Sequence, residues 1–262
     1  MKPFGLIIIL LLLSSNLFAQ KLTPKAIEAD LLKSFKKIEY WNVYKYDHRD
    51  NTDNYIKAED SLEIANDHFS KKLKFITSKY PSTISQKFYK LQHWGMGIVT
   101  SSDNLLKIYS WDTEMGGRMH DYQNLIQYKA GQKVNTILKT DTAITNNDGY
   151  IYYYTKLYKL TAGSKTFYLA IYNGIFGSLY CGEGVQVFSI ENGKLNQDTK
   201  IIKTKTGLHS NIYYNYFVSE HDDILYDSAS KIIKIPLVNE KEIATGKYIT
   251  YKFTGKYFEK VK

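Results

Sequence analysis

The sequence predicts an α+β protein, mainly antiparallel β, with two N-terminal helices packed on a multi-stranded β-meander. Three observations carry this. Apolar residues between Thr23 and Tyr80 recur at helical spacing, and from Phe88 onward the period switches to two. The chain also holds 24 Tyr, which lifts aromatics to 15%, and Tyr favours the pleated, half-covered surface that strands supply.

The first residues read as a secretory leader: Lys2, the apolar run Leu6–Leu13, then Leu17-Phe18-Ala19-Gln20 with cleavage expected after Ala19. The run is too short to span a bilayer, which takes about 20 residues, so no stable membrane span is expected after cleavage. The leader resembles those of secreted Bacteroidota proteins. The expected organisation is a signal peptide over 1–19, a helical segment over 20–82 and an antiparallel β domain over 83–262, with a possible seam at 140–149. The formal net charge is +9, but the lysines are scattered rather than gathered in a stripe with interleaved aromatics, so no nucleic-acid partner is expected. Such a charge suits general attraction to acidic glycans or anionic surfaces. Cys181 is the only cysteine, which excludes an internal disulfide; packing alone must hold the fold.

Thr23-Pro24 is a cap followed by proline at the first helical position. Ile27, Leu31, Phe35 and Ile38 form one stripe, and the pattern lapses at Asn42. After the polar break Asp47–Asp53, a second stripe runs through Tyr55, Leu62, Ala65, Phe69, Leu73 and Ile76. It must stop before Pro81, because proline pushes the preceding residue out of the helical region.

In the β region, Leu105, Lys107, Tyr109 and Trp111 face one way, and Leu106, Ile108, Ser110 and Asp112 the other. Gly116-Gly117 interrupts the strand, and Tyr122–Tyr128 resumes it. Three segments share one shape: Leu125–Asn135, Val185–Asn196 and Tyr248–Glu259 each read as strand, Gly-centred turn, Lys, apolar residue. Each follows an earlier strand: Leu106–Trp111, Phe167–Ile171 and Lys231–Ile235. A period of about 60 residues suggests three supersecondary units, although any β-meander yields similar hairpins. A sandwich and an incomplete propeller-like sheet both fit.

The densest cluster able to do chemistry is Asp112, Glu114, Arg118, His120 and Asp121. Hydrolysis of a sugar linkage needs paired carboxyl groups, one of them protonated, and the Gly-Gly loop could bring Asp112 and Asp121 together. In that reading Asp112, Glu114, His120 and Asp121 are catalytic, with His120 as base, and Arg118 holds an anionic substrate. Acidic residues at a strand end serve equally well as turn formers. KIYSWDTEMGG resembles stretches of exported Bacteroidota proteins and implies no activity. No nucleophile elbow, zinc helix or phosphate loop occurs, and no metal site or cofactor is predicted.

Tyr152-Tyr153-Tyr154 and Tyr213-Tyr214 place rings on both faces of their strands, one face packed and the other outward. Outward rings suit recognition of sugars or proteins, with Trp111, Tyr153 and Tyr214 as binding residues; the same rings also serve simply to cover a sheet. The leading expectation is therefore an exported binding or interaction module for a glycan or protein, periplasmic or extracellular. The rivals are a glycan hydrolase built on the acidic cluster and a structural component of an envelope assembly.

Overall fold

The computed structural model describes residues 23–139, 152–217 and 221–261. The leader and the seam at 140–149 lie outside the described residues.

Helix α1 (Pro24–Asp47) is capped by the Thr23 hydroxyl, which accepts from the Ala26 N–H at 3.2 Å. It continues past Asn42 for more than a turn. Helix α2 (Thr52–Lys79) is capped by Asn51 and ends one residue before Tyr80-Pro81. A 3₁₀ turn (Pro81–Ser85) and a short helix α3 (Tyr89–His93) lead into the strands. Among the described residues no helix is long and apolar enough to cross a membrane.

The α+β class holds, with the helices packed on antiparallel strands that are divided among three sheets. The first comprises β1 (Gly97–Thr100), β2 (Leu106–Asp112), β3 (Tyr122–Ala130) and β4 (Lys133–Lys139), in that order. The second has the order β11-β7-β6-β5, with β5 (Tyr153–Ala162), β6 (Lys165–Ile175), β7 (Tyr180–Glu191) and β11 (Asn211–Phe217); β8 (Lys194–Asn196) pairs with β7. The third runs β10-β9-β15-β14-β13-β12. Its members are β9 (Ile202–Thr204), β10 (Gly207–His209), β12 (Leu225–Asp227), β13 (Ile232–Val238), β14 (Ala244–Phe253) and β15 (Phe258–Lys260). The three recurrent segments fall one to a sheet: β2-β3-β4, β6-β7-β8 and β13-β14-β15 are each three neighbouring antiparallel strands.

The layers stack as helices, first sheet, second sheet, third sheet. Strand β2 shows why. Tyr109 and Trp111 join Leu31, Phe69 and Leu73 of the helices in one core, while Leu106 and Ile108 meet Tyr168, Ala170 and Phe188 of the second sheet in another. Strand β6 repeats the division: Tyr168, Ala170 and Tyr172 face the first sheet, and Phe167, Leu169 and Ile171 face Ile233, Tyr251 and Phe258 of the third. Two sheets covered on both faces consume many rings. Phe69 meets Trp111 edge to face at 5.2 Å, a geometry worth about 1 kcal/mol beyond burial.

This stacking corrects the expectation of outward rings for Trp111 and Tyr214, while Tyr213 on the other face of its strand is 40% exposed, as expected. Trp111 is 1% exposed, and Tyr154 and Tyr214 are buried as well. Alternation in a strand distinguishes two faces; it sends neither to water when a layer lies on each side.

Candidate functional site

The site is built at the end of β2, where the stack runs out. The chain leaves β2 at Asp112, loops through Thr113–His120 and enters β3, with Asp112 opposite Tyr122. Two glycines make so tight a loop possible. A Cβ on Gly116 would lie 1.9 Å from the Met119 carbonyl oxygen, and Gly117 has φ +63°. The Thr113 N–H donates to the Asp121 carbonyl at 2.7 Å, and the Thr113 hydroxyl donates to the Asp121 carboxylate at 2.7 Å. The His120 N–H donates to the Ile175 carbonyl at 3.1 Å, tying the loop to the second sheet.

Within this loop Asp112 is the hub. One carboxylate oxygen accepts the Glu114 N–H at 2.8 Å, and the other pairs with His120 Nδ1. The His120 ring stacks on Tyr122, whose ring lies 4.6 Å from that of Tyr153.

Glu114 is held from the helices. Its φ is +60°, rare for a residue other than glycine. The Asn42 amide donates to its carboxylate at 2.9 Å, and the buried Lys45 ammonium donates to its carbonyl at 3.1 Å. These two α1 residues continue the face of Ile38, so the lapse in the apolar stripe is where the helix grips the loop. Below, Asn66 of α2 donates to the Thr113 carbonyl at 2.8 Å and accepts from the Trp111 indole N–H at 3.3 Å. Trp111 thus supports the site from underneath and offers no face to a ligand.

Between α1, the turn after α3 and this loop lies a cleft of 160 Å³, walled by Phe35, Lys36, Glu39, Trp94, Asp112 and Glu114. Trp94 is 39% exposed, and the Lys36 ammonium sits 3.7 Å from its ring centroid. Burial raises the Glu114 carboxyl above the usual carboxylate range, and the neighbouring Asp112 charge adds to this; His120, Lys45 and the Asn42 hydrogen bond oppose it. Glu114 therefore keeps a proton to higher pH than a free glutamate. Among the described residues no group of His, Cys, Asp and Glu is arranged to hold a metal ion.

Of the sequence candidates, Asp112, Glu114 and His120 come together, and the first two line the cleft. Asp121 comes back beside the end of β2 through Thr113, where its carboxylate accepts the Thr113 hydroxyl, while the Asp112 carboxylate pairs with His120. Arg118 is exposed on the loop. Tyr153 reaches the site only through Tyr122, and Tyr214 belongs to the core between the second and third sheets. Glu39, Asn42 and Lys45 were not legible as site residues, although the lapse in the α1 stripe marked Asn42.

No protein-family model, no curated protein and no solved structure matches this chain, so chemistry alone guides the reading of the cleft.

Proposed function

We propose that the chain is an exported binding module and that the cleft takes one ring of a glycan. The observation that carries this is one small recess lined by the part-exposed Trp94, with Lys36 over its ring, and by the carboxyl groups of Glu39, Asp112 and Glu114. An indole face covers the apolar side of a sugar ring, and carboxylate oxygens accept from its hydroxyls. The 160 Å³ of space is well below the roughly 300–1,000 Å³ of pockets that enclose a whole small ligand. It suits a single ring, with the remainder of a longer chain lying over the exposed ends of α1 and α3. Export rests on the leader, and N-terminal sequencing of the mature protein beginning at Gln20 tests it.

One observation favours a second reading, glycan hydrolysis. Burial raises the Glu114 carboxyl beside the Asp112–His120 pair, and a carboxyl shifted toward its protonated form next to a carboxylate is what cleavage of a sugar linkage requires. Calorimetric titration with neutral oligosaccharides, run in parallel with chromogenic aryl glycosides, separates the two. The binding module gives heat without turnover, and Trp94→Ala weakens it at least about tenfold. Turnover that Glu114→Gln abolishes would replace it with the hydrolase, and absence of both signals would end both readings.

A further inference from the structure

The net charge of +9 has no run in the sequence, yet strand register gathers part of it at one end of the third sheet. Strands β15 and β9 run parallel, with Phe258 beside Ile202 and Glu259 beside Lys203. One step further along that register, Lys260 comes beside Thr204. Lys260 also pairs with Tyr251 of β14, and Thr204 pairs with Gly207 of β10. Paired residues share a face, so Gly207, Thr204, Lys260 and Tyr251 make one row across four strands. The glycine leaves that row open at its β10 end. A groove of 500 Å³ results, which Lys205 and Thr206 of the β9–β10 turn complete.

The chemistry of this groove is one-sided. Thr204, Thr206, Lys205, Lys260 and the Tyr251 phenol all carry donors. Burial raises the Tyr251 phenol above its ordinary range, which keeps it a neutral O–H donor. The one carboxylate on the rim, Glu259, is paired with Lys203 at 2.6 Å. Lys205 and Lys260 have no ion-pair partner among the described residues. The Thr204 and Thr206 hydroxyls stand 2.9 Å apart, and Thr206 lies 2.9 Å from His209 Nε2.

We propose that this groove is a second binding site, for the sulfate or carboxylate groups of an acidic polysaccharide. It lies on the third sheet, three layers from the helices that wall the cleft, and does not depend on what the cleft binds. Two ammonium groups without ion pairs, lining one groove with threonine hydroxyls, match a discrete oxyanion. A nucleic-acid strand would call for a longer basic track with stacking rings, and the groove's own ring, Tyr251, is buried.

The test uses the full chain, immobilised dextran sulfate as the sulfate probe, polygalacturonate as the carboxylate probe and uncharged dextran as blank. Lys205→Glu with Lys260→Glu is compared with Lys33→Glu with Lys37→Glu, an equal charge change on exposed positions of α1. The wild type should be retained by one or both acidic polymers and not by dextran, and which one retains it names the oxyanion. The groove variant should lose about tenfold in affinity, the α1 variant less than about twofold. Lys205→Gln with Lys260→Gln should fall between, with circular dichroism unchanged for all. Equal loss in both charge-reversal variants, no retention of the wild type, or equally tight binding of a single-stranded oligonucleotide would each overturn the proposal.

Discussion

Two layers of this molecule treat buried polar groups in opposite ways. Between the helices and the first sheet they form a connected network. Gln127 donates to the Thr77 carbonyl at 2.9 Å and the Thr83 hydroxyl at 2.7 Å, and accepts from Tyr109 at 3.1 Å. The Lys107 ammonium, fully buried, donates to the carbonyls of Thr83 (3.1 Å) and Gln86 and lies over the rings of Phe88 and Tyr109. Between the second and third sheets the core is almost wholly apolar. Its buried carboxylate is Glu183, 2% exposed, which accepts the Ile224 N–H at 2.7 Å and the Tyr214 hydroxyl at 3.2 Å.

The difference follows from what each layer brings. A helix end and a 3₁₀ turn expose carbonyls with no internal partner, so the facing strands must supply donors. Sheets satisfy their backbones sideways, and two sheet faces meet without any such demand. Lys107 and Gln127 are therefore strand residues answering a helix's need. Glu183 answers a loop, holding the segment that starts at His221 against β7; Tyr214 also donates to the Asp222 carbonyl.

Burial pulls the Lys107 ammonium down to about 7 and pushes the Glu183 carboxyl up to about 7. Their effects on stability have opposite slopes. Glu183 has a folded value above its ordinary 4.5, so the native state holds the extra proton between the two values. Stability falls as pH rises through that window. Lys107 has a folded value below its ordinary 10.5, so the unfolded chain holds the extra proton, and stability rises with pH from about 7 upward. The two burdens overlap most fully near neutrality.

The largest expected effect is at the helix layer. Lys107→Ala removes the donor for two carbonyls and leaves a cavity, and should cost about 4 kcal/mol in urea unfolding. Lys107→Met, which refills the space, should recover part of that. If neither variant shifts the midpoint, the contrast between the layers has no energetic content. Next comes Glu183→Gln, which keeps the shape and removes the charge. It should stabilise the protein by about 3 kcal/mol at pH 8 and by little at pH 4.5. Unfolding curves across that range check it, and a pH-independent difference would mean that Glu183 is not the strained group. The smallest effect is that of Tyr214→Phe. It should cost about 1 kcal/mol at pH 5 and move the Glu183 titration further upward, since the lost hydrogen bond favours the carboxylate. Carbon-detected NMR of the carboxyl reads this shift directly.

Much of the fold was legible because periodicity is local. The stripes of α1 and α2, the stop before Pro81 and the opposed faces of β2 follow from residue spacing, and all appear in the structure. The site was legible in part. Asp112, Glu114 and His120 lie within nine residues of one another around a Gly-Gly turn, so sequence alone suggested that they meet. Glu39, Asn42 and Lys45 lie some seventy positions earlier and reach the loop only because α1 crosses the end of the first sheet. Spacing carries no signal for such a crossing.

The tyrosines mark the same boundary. Their abundance announced strands, but spacing could not say whether the second face of a strand meets water or another layer. By itself the sequence determined the element types, their order, the caps and which side chains share a face, because these depend on neighbours within a few residues. Only the tertiary structure decided that three sheets stack, that Tyr154 and Tyr214 are buried while Trp94 stays open, and that the acidic loop faces a helix. Those outcomes depend on which apolar faces cover one another, a long-range choice with no period to betray it.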